Sequence, residues 1–188
     1  MKTLKFLPFG IFALFIASCS SDDNTSAPVN EEEVITTIIA TLTPQAGGTP
    51  IVFTSRDLDG DGPTAPVITV SGNLATNTVY SGSLDLLNET TTPAESITAE
   101  IIEEALDHQF FFSATNNIGT TAYAAPFDGN AHPIGVNFTF TTTAAATGNL
   151  TVVLRHQPDK SAQGVANGDI TNAGGETDVQ VTFPVIVE

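Results

Sequence analysis

The chain has 188 residues and carries 21 acidic against five basic side chains, a formal net charge of −16. A balance this acidic excludes a nucleic-acid partner, because phosphate binding needs a basic footprint, and it disfavours adhesion to anionic lipid headgroups. The single cysteine leaves no intramolecular disulfide to staple the fold, so a hydrophobic core must hold it.

Residues 1–18, "MKTLKFLPFGIFALFIAS", have the layout of a secretory signal peptide, with Lys2 and Lys5 ahead of an apolar run from Phe6 to Ala17. That run is too short to span a bilayer comfortably. Ile16-Ala17-Ser18-Cys19 looks like a bacterial lipobox, in which small residues admit a peptidase and the Cys19 thiol receives a diacylglyceryl group. An ordinary signal peptide with a stray cysteine is the plainer alternative. Acyl chains on Cys19 anchor the protein to a membrane, each buried methylene contributing about 0.8 kcal/mol. Residues 19–32 read as a flexible acidic tether. Its "SSDDN" resembles the export signal that sends Bacteroidetes lipoproteins to the outer face of the outer membrane; a periplasm-facing anchor is the alternative. Cleavage removes Lys2 and Lys5, and 3 basic minus 21 acidic residues gives −18. Cations, or a basic patch on a partner, suit such a surface, although solubility alone also accounts for it.

Residues 33–188 suffice for one domain. They alternate with period two, rich in Thr, Val, Ile and Phe, between Gly, Pro, Asn and Asp turns. Strands are expected over 33–44, 49–57, 65–72, 78–88, 109–115, 119–125, 133–142, 148–156 and 177–187. Eight or nine such segments predict a mostly β fold, a single antiparallel Ig-like β-sandwich. One segment departs from the pattern. Ile97, Ile101 and Ala105 recur at helical spacing, opposite Glu100, Glu103, Glu104 and Asp107. This predicts one short acidic helix over about 96–108, capped at Thr92 or Ser96 and laid across an end or edge of the sandwich.

Two clusters carry candidate metal chemistry. In "RDLDGDG", Asp57, Asp59 and Asp61 precede Gly62 as in the first half of an EF-hand loop, but the position of the essential glutamate is Ile68. The turn is therefore a candidate calcium site of another kind, or simply an acidic turn. Glu104 and His108 lie four residues apart on the expected helix, and His132 and His156 could complete a Zn2+ or Cu2+ site with them. A solvated acidic helix face ending in a histidine is the alternative. Catalysis finds no support. There is no G-x-S-x-G elbow, and paired carboxylates could be chosen at will from 21 acids. Sugar binding is disfavoured by the lack of Trp, with Tyr80 and Tyr123 the only tyrosines.

Taken together, "EEEVITT", "RDLDGDG", "APVITVSG", "LLNE", "EEALDHQFFF" and "ITNAGGETDVQVTF" resemble a family of small flavobacterial lipoproteins. Its members often carry the automatic label "type 1 periplasmic binding fold superfamily protein". That fold is two α/β lobes of repeated βαβ units, which the alternation here does not support. The resemblance brings no catalytic or binding residues. The expectation is a non-enzymatic surface lipoprotein of the outer membrane, serving as a binding or accessory module for an outer-membrane transporter or another surface protein. Metal capture is the competing expectation.

Overall fold

The computed structural model describes residues 33–60 and 62–188. The expected signal peptide, Cys19, the expected tether and Asp61 lie outside them. The first strands follow directly from the alternation. β1 (Thr37–Pro44) turns Ile38, Ala40 and Leu42 inward, and β2 (Ile51–Arg56) turns Phe53 the same way. β3 (Val67–Val70) pairs with β2, and β4 (Val79–Asn88) returns to lie beside β1. Three hairpin-linked strands with the fourth beside the first make a Greek key. β8 (Asn137–Thr142) and β7 (Gly119–Ala124) extend this sheet to the order β3-β2-β1-β4-β8-β7. The second sheet is β10-β9-β6, from β10 (Glu176–Val187), β9 (Ala146–His156) and β6 (His108–Ala114). All pairings between these strands are antiparallel. A two-residue strand, β5 (Glu95–Ser96), adds to β4.

The two sheets face each other across one core. Phe53 of β2 meets Phe183 of β10 at 5.7 Å between ring centroids, and Phe112 of β6 meets Phe138 of β8 at 4.3 Å. Phe53, Phe138 and Phe183 are fully buried, and side chains of this size then contribute about 1.5–3 kcal/mol each, whereas Phe112 is partly buried. Gly82 is required opposite Phe138 of the neighbouring strand β8, since a Cβ there would lie 2.5 Å from the Phe138 ring. The "FFF" run divides between two layers. Phe110 and Phe112 point inward, whereas Phe111 joins Val165 and Ala173 in a small cluster on the outer face. Gln109 Nε2 bonds the Val165 carbonyl at 2.8 Å and holds the covering segment in place.

The helix is shorter than the periodicity predicts. α1 spans Ile97–Glu103 rather than about 96–108, and His108 opens a strand instead of closing the helix. Ser96 takes the N-cap position without a side-chain hydrogen bond, and Thr92 lies ahead of β5. The reason for the early stop is competition. A seven-residue helix has little stability of its own, while 108–114 gains a full ladder with β9 and buries phenylalanines on both faces. As expected, the helix covers an edge. Ile97 and Ile101 are buried in the core, and Leu86 N–H of β4 donates to Thr98 Oγ1 at 2.7 Å, beyond the point where β8 has left β4. Among the described residues, no helix is long and apolar enough to cross a membrane.

Each basic side chain of 33–188 is committed to the fold. Arg56 makes two bonds to Glu89, at 2.9 and 2.6 Å, which hold that carboxyl down at about 2. Arg155 ties down the Gly174 and Gly175 carbonyls and the Thr177 hydroxyl. Lys160 is buried, its Nζ bonded to Asp128 and to the carbonyls of Ala105 and Pro133. Among the described residues, no lysine or arginine is left without an acceptor.

Candidate metal centre

His108 is the first residue of β6 and His156 the last of β9, and the register places them directly opposite each other. Residues paired this way project from the same face. On β9 that face runs Leu150, Val152, Leu154, His156, and on β6 it runs Phe112, Phe110, His108. Both imidazoles therefore stand at one end of the core, between the sheets, with ring centroids 4.6 Å apart.

Two carboxylates close the group. Asp178 is the extra residue of a β-bulge, since β10 pairs Thr177 with Arg155 and then Val179 with Leu154. Its oxygens come within 3.8 Å of His108 Nε2 and 3.7 Å of His156 Nδ1. The Arg155 guanidinium grips the chain on the approach to this bulge at Gly174, Gly175 and Thr177, which fixes where Asp178 sits. Glu33 arrives from the lead-in to β1, with Oε1 2.8 Å from His108 Nε2. Among the described residues, Glu33, His108, His156 and Asp178 are the one group of three or more potential ligands whose atoms all lie within 4.8 Å of one another.

These distances suit a shared cation. A four-coordinate ion with ligand bonds of about 2.0–2.1 Å separates its ligand atoms by about 3.3 Å. The three approaches of 2.8, 3.7 and 3.8 Å straddle that value. His156 Nδ1 and Glu33 Oε2 are buried with no hydrogen-bond partner among the described residues. Leaving such atoms unmade costs about 1–3 kcal/mol each. The outer nitrogen of His108 is already engaged, with Nδ1 3.3 Å from the Glu104 carbonyl. With Nδ1–H donating there, the Nε2 lone pair faces the two carboxylates, the arrangement metal-binding histidines show.

Charge points the same way. Burial works against a proton on His108, but the Glu33 and Asp178 carboxylates and the Glu104 carbonyl outweigh it and raise its affinity for one. Burial pushes the Glu33 carboxyl up, yet His108, with a smaller contribution from His156, brings it below the usual range. A divalent cation with two carboxylates and two neutral imidazoles has zero net charge, the arrangement a buried site favours. Two imidazole nitrogens among four ligands suit Zn2+ and its neighbours rather than calcium, which takes six to eight oxygens.

Of the four residues of the expected histidine site, the structure brings two to this group. His108 and His156 come together, but Glu104 and His132 do not join them. The Glu104 side chain is 59% exposed and stands 4.0 Å from His108 Nδ1, on the outer side of the ring, because the helix has ended by that residue. His132 lies near Asp128 instead, with its Nδ1 3.9 Å from that carboxylate. In the aspartate turn, Asp59 Oδ2 accepts the Thr64 N–H at 3.2 Å, Asp57 Oδ1 is buried without a hydrogen-bond partner among the described residues, and Asp61 is outside them. Glu33 and Asp178 went unnoticed in the sequence. Asp178 had a signal, a charged residue in the strand "TDVQVTF"; Glu33, the last of three consecutive glutamates, had none. Compared with known proteins, the chain matches no family model, no curated protein and no solved structure.

Proposed function

We propose that the protein is a metal-binding lipoprotein of the cell envelope that holds one divalent transition-metal ion, Zn2+ or a close neighbour, at the end of its sandwich. The observation that carries this reading is the convergence of two core-facing imidazoles and two carboxylates at ion-binding separations, with His156 Nδ1 and Glu33 Oε2 buried without a hydrogen-bond partner among the described residues. The lipobox at Cys19 and the acidic tether support a surface anchor, and the acidic domain supports a role in cation capture rather than catalysis. With four protein ligands the centre is closed, as storage and structural sites are.

The test uses the full chain in detergent, stripped with a chelator and titrated with Zn2+ by calorimetry. One ion per chain is expected, with binding lost in the double variant His108→Ala/His156→Ala. At one hundred times the dissociation constant, the ion adds about 2.7 kcal/mol of stability. For a domain of this size that raises Tm by about 5–11 °C. Absence of saturable binding by Zn2+, Co2+ and Cu2+ alike would overturn the reading in favour of a metal-free binding module.

A further inference from the structure

Beside the centre lies a cavity of about 600 Å³, and its lining is asymmetric. Glu33 and Asp178 form part of its wall, whereas the two imidazoles do not reach it. The turn after β2, including Asp57, Leu58 and Asp59, forms another part of the wall. No lysine, arginine or histidine lines the space. Asp59 is occupied in shaping its own turn through the Thr64 N–H. Asp57 is held in place by its backbone N–H, which donates to the Thr36 carbonyl at 2.7 Å, and its Oδ1 is buried with no hydrogen-bond partner among the described residues.

We infer that this cavity is the route by which the cation enters and leaves, with Asp57 as its outer station: the hydrated ion meets Asp57 first, is passed to Glu33 and Asp178, and last to the imidazoles behind them. This rests on the metal reading above. A cleft walled by one sign of charge focuses the field and speeds association with the opposite sign. Carboxylates on the open side and imidazoles on the closed side order the exchange of water for ligands. The acidic turn of "RDLDGDG" thereby acquires a role that does not require it to hold calcium itself.

The experiment is stopped-flow uptake of Zn2+ by the metal-free full chain, read through a competing chromophoric chelator, together with equilibrium affinity. Asp57→Asn keeps the backbone bond to Thr36 and is expected to slow both association and dissociation on the order of three- to tenfold, with equilibrium affinity nearly unchanged. The association rate of the unaltered protein should fall with added salt, and that of Asp57→Asn should fall less steeply. Leu58→Lys, at a position already 49% exposed, adds a cation at the mouth and should slow association as well. Unchanged association rates in both variants overturn the route while leaving the centre standing. A tenfold loss of affinity in Asp57→Asn at an unchanged association rate would make Asp57 a ligand and also overturn it. Failure of the unaltered protein to bind Zn2+ overturns centre and route together.

Discussion

Replacing Lys160 with methionine keeps most of its apolar stem and removes the charge from a site that is only 5% exposed. Three acceptors lose their donor at once: Asp128 Oδ2 at 3.1 Å, the Ala105 carbonyl at 2.5 Å and the Pro133 carbonyl at 3.1 Å. Asp128 keeps the backbone N–H groups of Asn130 and His132, both at 2.9 Å, but its negative charge is then uncompensated behind a side chain 1% exposed. Breaking a buried pair from one side costs about 3–5 kcal/mol. That is a large part of the 5–15 kcal/mol that holds a typical domain, and it corresponds to a fall in Tm of about 6–20 °C. Urea unfolding should show a lower midpoint at an unchanged slope, since the core itself is intact. The double variant Lys160→Met/Asp128→Asn should recover part of the loss, because no buried charge is then orphaned. Asp128→Asn alone should cost less than Lys160→Met, because burial already depresses the Lys160 pKa and a lysine can shed its proton. A loss below about 1 kcal/mol for Lys160→Met, or no recovery in the double variant, would refute the reasoning.

The proposed metal centre has its own signature with pH. The His108 pKa is raised on folding, so its contribution to the metal-free protein is complete below about 6.5 and fades as pH rises through the folded value. The Glu33 pKa is lowered, so its contribution is present above about 4.5 and fades as pH falls through the folded value. Metal binding must displace the His108 proton, so the rise in Tm caused by Zn2+ should instead grow with pH, which melting curves across this range would read. Gly175→Ala should destabilise by about 2–4 kcal/mol in urea and weaken Zn2+ binding. Its φ is +66°, and the added Cβ would stand 2.1 Å from the His156 carbonyl oxygen. Glu104→Ala and His132→Ala should leave Zn2+ affinity within about twofold in calorimetry, because Glu104 acts through its backbone carbonyl and His132 faces Asp128.

Period-two alternation was enough to place nine of the ten strands, because each strand has one face in the core and the pattern of inward residues is local. The same alternation already contained half of the centre. Extending Leu150, Val152, Leu154 by one step reaches His156, and extending Phe112, Phe110 backwards by one step reaches His108. That signal was masked because Ile97, Ile101 and Ala105 also fit a helix running through His108. Only the ladder with β9 decides that the chain has become a strand by that point. Glu33 and Asp178 depend on contacts between segments far apart in the chain. A β-bulge aims Asp178 and the lead-in to β1 delivers Glu33, and neither position is specified by neighbours in sequence. The amino-acid sequence by itself determined the strands and the acidic charge, since local pattern and composition are written residue by residue. Which carboxylates meet which imidazoles, and that Lys160 lies buried on Asp128, was decided by tertiary structure alone, because strand register and sheet packing bring those groups within a few ångströms.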